Sequence, residues 1–535
     1  MKRPIVLVLL TLLTAACLVR PGDPSLADAR GRPMCDRSQF AAADVMKGPI
    51  SFVGLPAVEL GTDLDWRMDP YRNRSWALNL HSLRWIGRLV VAYESKGDAA
   101  PLRRAERTAH DWVKDNPRGG ADVSAWAWAE HAVALRAPAL VCLSTYVKAD
   151  WLSDSLVEHA EVLADAALYK GGHNHGLDQD IALLGIGCRL GVPEWRDLAL
   201  RRMTESAERA IDGQGTLQEQ APRYGVYVHQ RLGVAFNSIR ECGVGVPSAL
   251  AARRAALESY VAHAIQPDGR LTAIGDGPAD MRPTGFRRPG DTVGVFDGGY
   301  VFGRTGWSRD SAFYSIRFGP PRRYHGHEDH MSVTYQAEGH DVLVEAGFHS
   351  YEKGDYPRWT VTPEAHNVPV VEGRPFRPGT ATRLVGSSIT RTRQSFEFTD
   401  DAYGVSRTRK VLVNHGRDVL AVLDEVPEGN TLRNLWHLAP GRRPTLVQLE
   451  MPACEEVGGQ REGKGEISPG YLKRVPSVTI TSPAARSLLT VAVPGRARVT
   501  CDGTTVTVRT EEGPVTFPAA LTASQQRSGA RTGRP

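Results

Sequence analysis

Three clusters of residues combine acids, bases and hydrogen-bond donors at spacings that suit proton transfer. The first, Gly171-Gly172-His173-Asn174-His175-Gly176-Leu177-Asp178, lies between two helical stretches. A glycine-flanked Asn-His pair at a helix start can aim side chains and free backbone N–H groups at an anion. The plainer reading is a helix cap by Asn174 with histidines facing solvent. The second, Glu219-Gln220-Ala221-Pro222-Arg223-Tyr224-Gly225-Val226-Tyr227, sets a carboxylate, an arginine and two tyrosines in a loop leading to a helix. A tyrosine with a pKa near 10 is a poor base unless a cationic neighbour lowers it, and most tyrosines simply pack with the hydroxyl bonded. The third, Arg322-Arg323-Tyr324-His325-Gly326-His327-Glu328-Asp329-His330, reads as the opening of a strand. Extended, it puts His325, His327 and Asp329 on one face and Glu328 and His330 on the other. An H-x-H pair suits metal or acid–base work. Glu345, after Val342-Leu343-Val344, and His366, in Ala365-His366-Asn367, would complete an N/N/O set, with chance clustering as the alternative.

The elements that must hold these clusters change type part-way along the chain. From about residue 75 to 265, apolar residues recur every three to four positions, as in Leu80, Leu83, Trp85, Ile86, Leu89, Val90 and Tyr93. That first run stops at Lys96-Gly97-Asp98, a basic last turn followed by glycine. Further helical stretches follow at 101–115, 122–146, 151–169, 176–190, 193–211, 232–243 and 247–264, separated by Gly, Pro or Asn/Asp. No strict repeat is present, which disfavours a consensus solenoid. From Gly298 onward, short segments such as Ala312 to Ile316, Ser332 to Tyr335 and Val419 to Leu423 alternate with turns, which predicts antiparallel β structure. The expected units are helical over 30–270 and β-rich over 271–522, with a disordered basic tail over 523–535.

At 535 residues the chain exceeds what one small core holds, so two or three packed units are expected. Lys2 and Arg3, the apolar run Ile5 to Val19 and the small-x-small Ala27-Asp28-Ala29 read as an export signal over 1–29. Leu13-Thr14-Ala15-Ala16-Cys17 also resembles a lipobox, so attachment through Cys17 stands as the alternative to free secretion; both place the protein outside the cytoplasm. The apolar run is short for a bilayer span, and no later segment is apolar enough for one. Of the formal charge of +5, residues 1–29 carry +1 and the tail +3, leaving +1 for the folded body. Without a concentrated basic stripe, nucleic acid is not an expected partner. Cys35, Cys142, Cys188, Cys242, Cys454 and Cys501 show no CxxC pair, which argues against a thiolate zinc module. Export permits disulfides, Cys454 with Cys501 among them, while buried free cysteines are an equal alternative.

In this order, the clusters resemble the heparinase II/III-like polysaccharide lyases. The family's Asn-Asn-His-Gly turn is matched by His173-Asn174-His175-Gly176, with histidine at the first position. Its Glu-x-Ser-Pro-x-Tyr segment is similar to Glu219-Gln220-Ala221-Pro222-Arg223-Tyr224, and its His-x-His-x-Asp strand to His325-Gly326-His327-Glu328-Asp329. Leu343-Val344-Glu345-Ala346-Gly347 and Ala365-His366-Asn367 match two further motifs, with Glu345 where Asp is common. The resemblance covers most of the mature chain and implies an α+β multidomain fold, an incomplete (α/α) toroid followed by an antiparallel β-sandwich.

The same resemblance implies β-elimination on a uronic-acid-containing polysaccharide. Asn174 and His175 would neutralise the uronate carboxylate, because removing the proton α to it requires a stabilised enolate-like charge. Tyr224 and His325 would share the acid and base roles, with Arg223 and His175 lowering the tyrosine pKa and Tyr227 in reserve. Arg223, Tyr227, Asp178, Glu219 and Trp126 are expected around the bound sugar. His327, Glu345 and His366 would hold a structural zinc that fixes the strand carrying His325 rather than activating water. Two other classes compete. A glycoside hydrolase would use paired carboxylates such as Asp178 and Glu219. A non-catalytic glycan-binding envelope protein would use tryptophans such as Trp66, Trp76, Trp126 and Trp128 for sugar stacking.

Overall fold

The computed structural model describes residues 34–35, 42–61, 63–441 and 443–521. The signal-like stretch, the lipobox-like Cys17 and the basic tail lie outside the described residues.

Helices Arg74–His81, Arg84–Lys96, Ala99–Asp115, Glu130–Ser144, Asp150–Ala164, Asn174–Leu190, Pro193–Ala210, Pro222–Glu241 and Ser248–Ala264 follow one another. From Arg84–Lys96 to Pro193–Ala210 each helix packs on the next in the chain, and Glu130–Ser144 also touches Asn174–Leu190, which in turn touches Pro222–Glu241. The result is an incomplete (α/α) toroid. Its inner members show why: Glu130–Ser144 and Asn174–Leu190 are buried nearly all round. Pro193–Ala210 instead buries a narrow stripe of Ala199, Met203, Ser206 and Ala207, as an outer helix should. Gly97 and Gly191 close their helices in the left-handed conformation that glycine adopts without strain. Pro222 sits in the first turn of its helix, where the missing N–H leaves no bond unmade.

Three boundaries differ from the periodicity. The stretch expected over 151–169 ends at Ala164. Residues 122–129 form turns rather than helix. The helix expected from residue 232 already starts at Pro222. Tyr224 and Tyr227 therefore ride on its first turns instead of a loop, since the polar residues of those turns hide the apolar period.

The β region is a sandwich. One sheet runs Arg461–Ile467, Val475–Thr481, Leu432–Leu438, His340–Leu343, Val333–Ala337, Phe313–Arg317, Tyr300–Arg304, Val293–Phe296 in space. The other runs Glu455–Glu456, Thr445–Glu450, Ser487–Val493, Val419–Glu425, Arg407–Asn414, Arg393–Asp400, Arg383–Ile389. Every second residue meets the facing sheet: Tyr314 and Ile316, Val333 and Tyr335 against Phe396 and Phe398, Val411 and Val413. A small third sheet covers the outer face of the second through Val506, Val508 and Phe517.

The His325-to-His330 segment is not the expected strand. It lies in the irregular connection between Phe313–Arg317 and Val333–Ala337. Buried Arg409 braces that connection: it forks onto Asp424 at 2.6 and 2.8 Å and donates to the carbonyls of Met331 and Asn367 at 2.7 and 2.5 Å. At the junction between the two units, Arg270 forks onto Asp341 at 2.8 and 2.9 Å, and Arg304 donates to the Ile265 carbonyl at 2.6 Å. All six cysteines outside the signal are paired, Cys35 with Cys142, Cys188 with Cys242 and Cys454 with Cys501. The buried free thiols held open as an alternative are thus absent among the described residues.

Candidate active site

His173, rather than Asn174, caps the Asn174–Leu190 helix, its Nδ1 accepting the His175 N–H at 3.2 Å. The anion at this helix start is the protein's own. Glu219 accepts the Asn174 backbone N–H at 3.0 Å through Oε1 and the Asn174 side-chain amide through Oε2. Burial nevertheless pushes the Glu219 carboxyl up to about 7, against the pull of those two donors. His175 points the other way: its Nδ1 meets Glu130 Oε1 at 2.9 Å, and its ring stacks on His131 at 3.6 Å. The His175 hydrogen bond holds Glu130 down to about 2. Asn174 is buried, whereas the His175 side chain is 31% exposed.

Tyr224 and His325 come together from opposite units. Their rings lie 3.7 Å apart and 8° from parallel. Asp276, from the connection between the last helix and the first strand of the sandwich, accepts from His325 Nδ1 at 2.8 Å and His327 Nε2 at 3.1 Å. In the neutral ring this bond puts the His325 proton on Nδ1 and leaves Nε2, 3.5 Å from Glu219 Oε2, as the unprotonated nitrogen. Two histidine hydrogen bonds outweigh burial and hold Asp276 down to about 2. The Tyr224 hydroxyl touches the Tyr351 hydroxyl, which also lies 3.3 Å from His325 Nδ1.

Arg223 lies near the Tyr224 ring, its guanidinium carbon 5.3 Å from the centroid. The expected drop in the Tyr224 pKa does not occur: burial pushes it up to about 12 and outweighs Arg223. At neutral pH Tyr224 is a proton donor, not a phenolate.

Tyr227 belongs to a different network. Its hydroxyl donates to Asp178 Oδ2 at 2.6 Å, beside Arg231 Nε at 2.6 Å on Oδ1 and His131 Nε2 at 3.2 Å on Oδ2. Burial alone would raise Asp178, yet Arg231, His131 and Tyr227 hold its carboxyl below the usual range. Trp126 is half-buried in the turns before Glu130. Trp66 and Trp76 are core, and Trp128 packs against it. The exposed ring nearest this constellation is Tyr324, 4.9 Å from His173 and 53% exposed. Its loop is pinned by Gln220, a non-glycine at φ +60°, which accepts from Arg323 N at 2.6 Å and donates to the Pro321 carbonyl at 2.8 Å.

The residues expected to hold zinc assemble in part. His366 Nδ1 contacts Glu345 Oε2, and Ser332 donates to Glu345 Oε1 at 2.5 Å. His327 stands beside His366, with ring centroids 5.3 Å apart, but its Nε2 serves Asp276. Among the described residues, the trios whose ligand atoms all lie within 4.8 Å of one another are His173/Glu219/His325 and Asp63/Asp111/Asp115. His327, Glu345 and His366 are not such a trio, so closing on a metal would require these side chains to draw together.

Glu130, Asp276 and Tyr351 escaped the sequence reading. Glu130-His131 at a helix start and the Gly275-Asp276-Gly277 turn were the available signals, though both are common surface patterns.

The heparinase II/III N-terminus model matches residues 39–246, and the heparinase II/III-like C-terminal model matches residues 288–524. The chain belongs to the heparinase II/III-like polysaccharide lyase family. A curated heparin-sulfate lyase of Pedobacter heparinus is 20% identical over 334 residues, covering 55% of this chain and 51% of that protein. The chain thus spans about half the length of that curated relative. Among solved structures, heparan sulfate lyase HepC from Pedobacter heparinus aligns with TM-score 0.66 at 15% identity, covering 94% of this chain and 93% of that one. A heparinase III structure aligns with TM-score 0.72 at 16% identity, covering 94% and 92%. At these identities the structural likeness carries the heparinase-like fold.

Proposed function

We propose that this protein is an exported lyase that cleaves a uronic-acid-containing polysaccharide by β-elimination. The observation that carries the reading is the Tyr224–His325 stack, which brings a protonated phenol and an imidazole together at the seam of the two units. In this reading His325 Nε2 takes the proton from the carbon α to the uronate carboxylate. The C–H electron pair forms the new double bond, the glycosidic C–O bond breaks, and Tyr224 protonates the leaving oxygen. His175, partly exposed and backed by Glu130, neutralises the carboxylate. Asn174 joins it by sharing its amide with Glu219. Tyr324 and Trp126 offer aromatic faces for sugar rings. Family membership and the three disulfides support the reading, since such bonds persist in oxidising compartments. The export signal itself rests on residues 1–29.

The hydrolase reading is weaker on one observation. Asp178 and Glu219 are both wholly buried and already hydrogen-bonded, so neither presents a free carboxylate to a sugar.

A structural zinc on His327, Glu345 and His366 belongs to the proposal on donor chemistry alone: two buried imidazoles and a buried carboxylate. With its Nε2 on Asp276, His327 would offer Nδ1 to the metal, and no step of the elimination runs through the ion. Finding no zinc by elemental analysis of the purified protein would remove this part.

The deciding experiment incubates the protein with heparosan, heparan sulfate, hyaluronan, alginate and glucuronan and follows ultraviolet absorbance of the unsaturated product. Absorbance rising on at least one polymer is expected. Silence on all of them, with cleavage of another glycan, would overturn the lyase reading.

A further inference from the structure

Glu219 Oε2 lies 3.5 Å from His325 Nε2 and 3.8 Å from His173 Nε2, and the three ligand atoms all fall within 4.8 Å of one another. Donors on a tetrahedral zinc-type ion, at bond lengths near 2.1 Å, stand about 3.5 Å apart, so the present spacing needs little contraction. We propose that His173, Glu219 and His325 form a binding site for a divalent transition-metal ion, and that the bound ion switches the catalytic centre off.

The second coordination layer is already built. His325 donates its Nδ1–H to the Asp276 carboxylate at 2.8 Å, the arrangement that fixes a metal-binding imidazole and strengthens its other nitrogen as a donor. That other nitrogen, Nε2, is buried and has no hydrogen-bond partner in the structure. It faces the Glu219 carboxyl, so once that group gives up its proton two electron pairs meet across a gap that suits a cation. His173 needs one change. Its Nδ1 accepts the His175 N–H at 3.2 Å, which puts the ring proton on Nε2. Metal binding moves that proton to Nδ1 and gives up one long hydrogen bond.

Two imidazoles and a single carboxylate select Zn2+, Ni2+, Co2+ or Cu2+ over Mg2+ or Ca2+, which prefer all-oxygen sites. The inhibitory sense rests on the lyase reading above: the ion occupies the His325 lone pair that would take the substrate proton. His173 is the distinguishing member, because the related turn carries asparagine there.

Calorimetric titration of the full chain with Ni2+ tests the site, beside His173→Asn and, should that variant fold poorly by circular dichroism, Glu219→Gln. Wild type should take up one more equivalent of Ni2+ than either variant. Its lyase activity should fall with Ni2+, recover with chelator and ignore Mg2+, while His173→Asn should need about tenfold more Ni2+ or higher for the same inhibition. Equal uptake and affinity in wild type and folded variants would overturn the proposal. If no uronate polymer is cleaved, the lyase reading fails, while the titration still decides the metal site.

Discussion

Tyr224 lies flat on the imidazole of His325, ring centroids 3.7 Å apart, although 101 positions separate them in the chain. The tyrosine comes from the first turn of a toroid helix and the histidine from a connection between sandwich strands. The packing of this pair is aromatic and the chemistry sits on the hydroxyl, so the two are separable by substitution.

Tyr224→Phe keeps the stack and removes the proton. It should fold normally and lose about 10²–10⁴-fold in kcat. Tyr227→Phe is the counterpart: it removes a hydroxyl from the charged Asp178 and should cost about 1.5–3 kcal/mol of stability with a much smaller loss of turnover. Steady-state kinetics and thermal melts on both variants decide between them. A fully active Tyr224→Phe would move the acid role elsewhere.

Asp276→Asn should lower kcat by about 10–100-fold and leave KM nearly unchanged, because the residue orients His325 without reaching substrate. Nitrogen NMR of the histidine rings should show the His325 proton losing its fixed place on Nδ1. Unaltered kcat together with an unaltered imidazole signal would mean that the carboxylate only packs.

Asp418 gives a pH test remote from the site. Burial, with Glu338 and Glu512 nearby, raises its carboxyl to about 6. A raised carboxyl in the folded state contributes stability that is complete below the unfolded value and is lost as pH rises through about 6. Asp418→Asn should therefore stabilise the protein above that pH, by about 1 kcal/mol once solvent screening of the half-buried group is allowed for. It should do nothing below pH 4. Asparagine also tolerates the positive φ of 46° at this position. Melting curves at pH 4 and pH 8 check it, and a shift of equal size at both would contradict the electrostatic cause.

Much of the site was legible because its parts are local. The His173-to-Asp178 turn, the Glu219-to-Tyr224 segment and the His325-Gly326-His327 triplet each announce themselves within ten residues, and the structure gathers members of all three. The helix-to-strand change near residue 270 was legible from period alone. What escaped depends on contacts or on burial. Asp276 is one acid among 60 Asp and Glu until His325 and His327 are seen to share it. Tyr351 matters through its contact with the Tyr224 hydroxyl, which no spacing encodes. The Tyr224 pKa turned the other way because a neighbouring arginine can be read from sequence whereas the depth of the phenol cannot. Glu219 was read as facing a sugar; it instead satisfies the helix start that an external anion was expected to fill.

The Gly275-Asp276 turn has a consequence for how this chain can be cut and lengthened. Gly275 stands at φ +59°, and a Cβ there would come within 2.5 Å of the His325 carbonyl, while the Asp276 N–H donates to that same carbonyl at 2.9 Å. The stretch joining toroid to sandwich is thus held at both backbone and side chain, and its length is a fixed dimension rather than slack. Inserting residues between Leu271 and Asp276 should uncouple the halves as surely as severing them, whereas additions beyond Met281, among the exposed residues ahead of the first sandwich strand, should pass unnoticed.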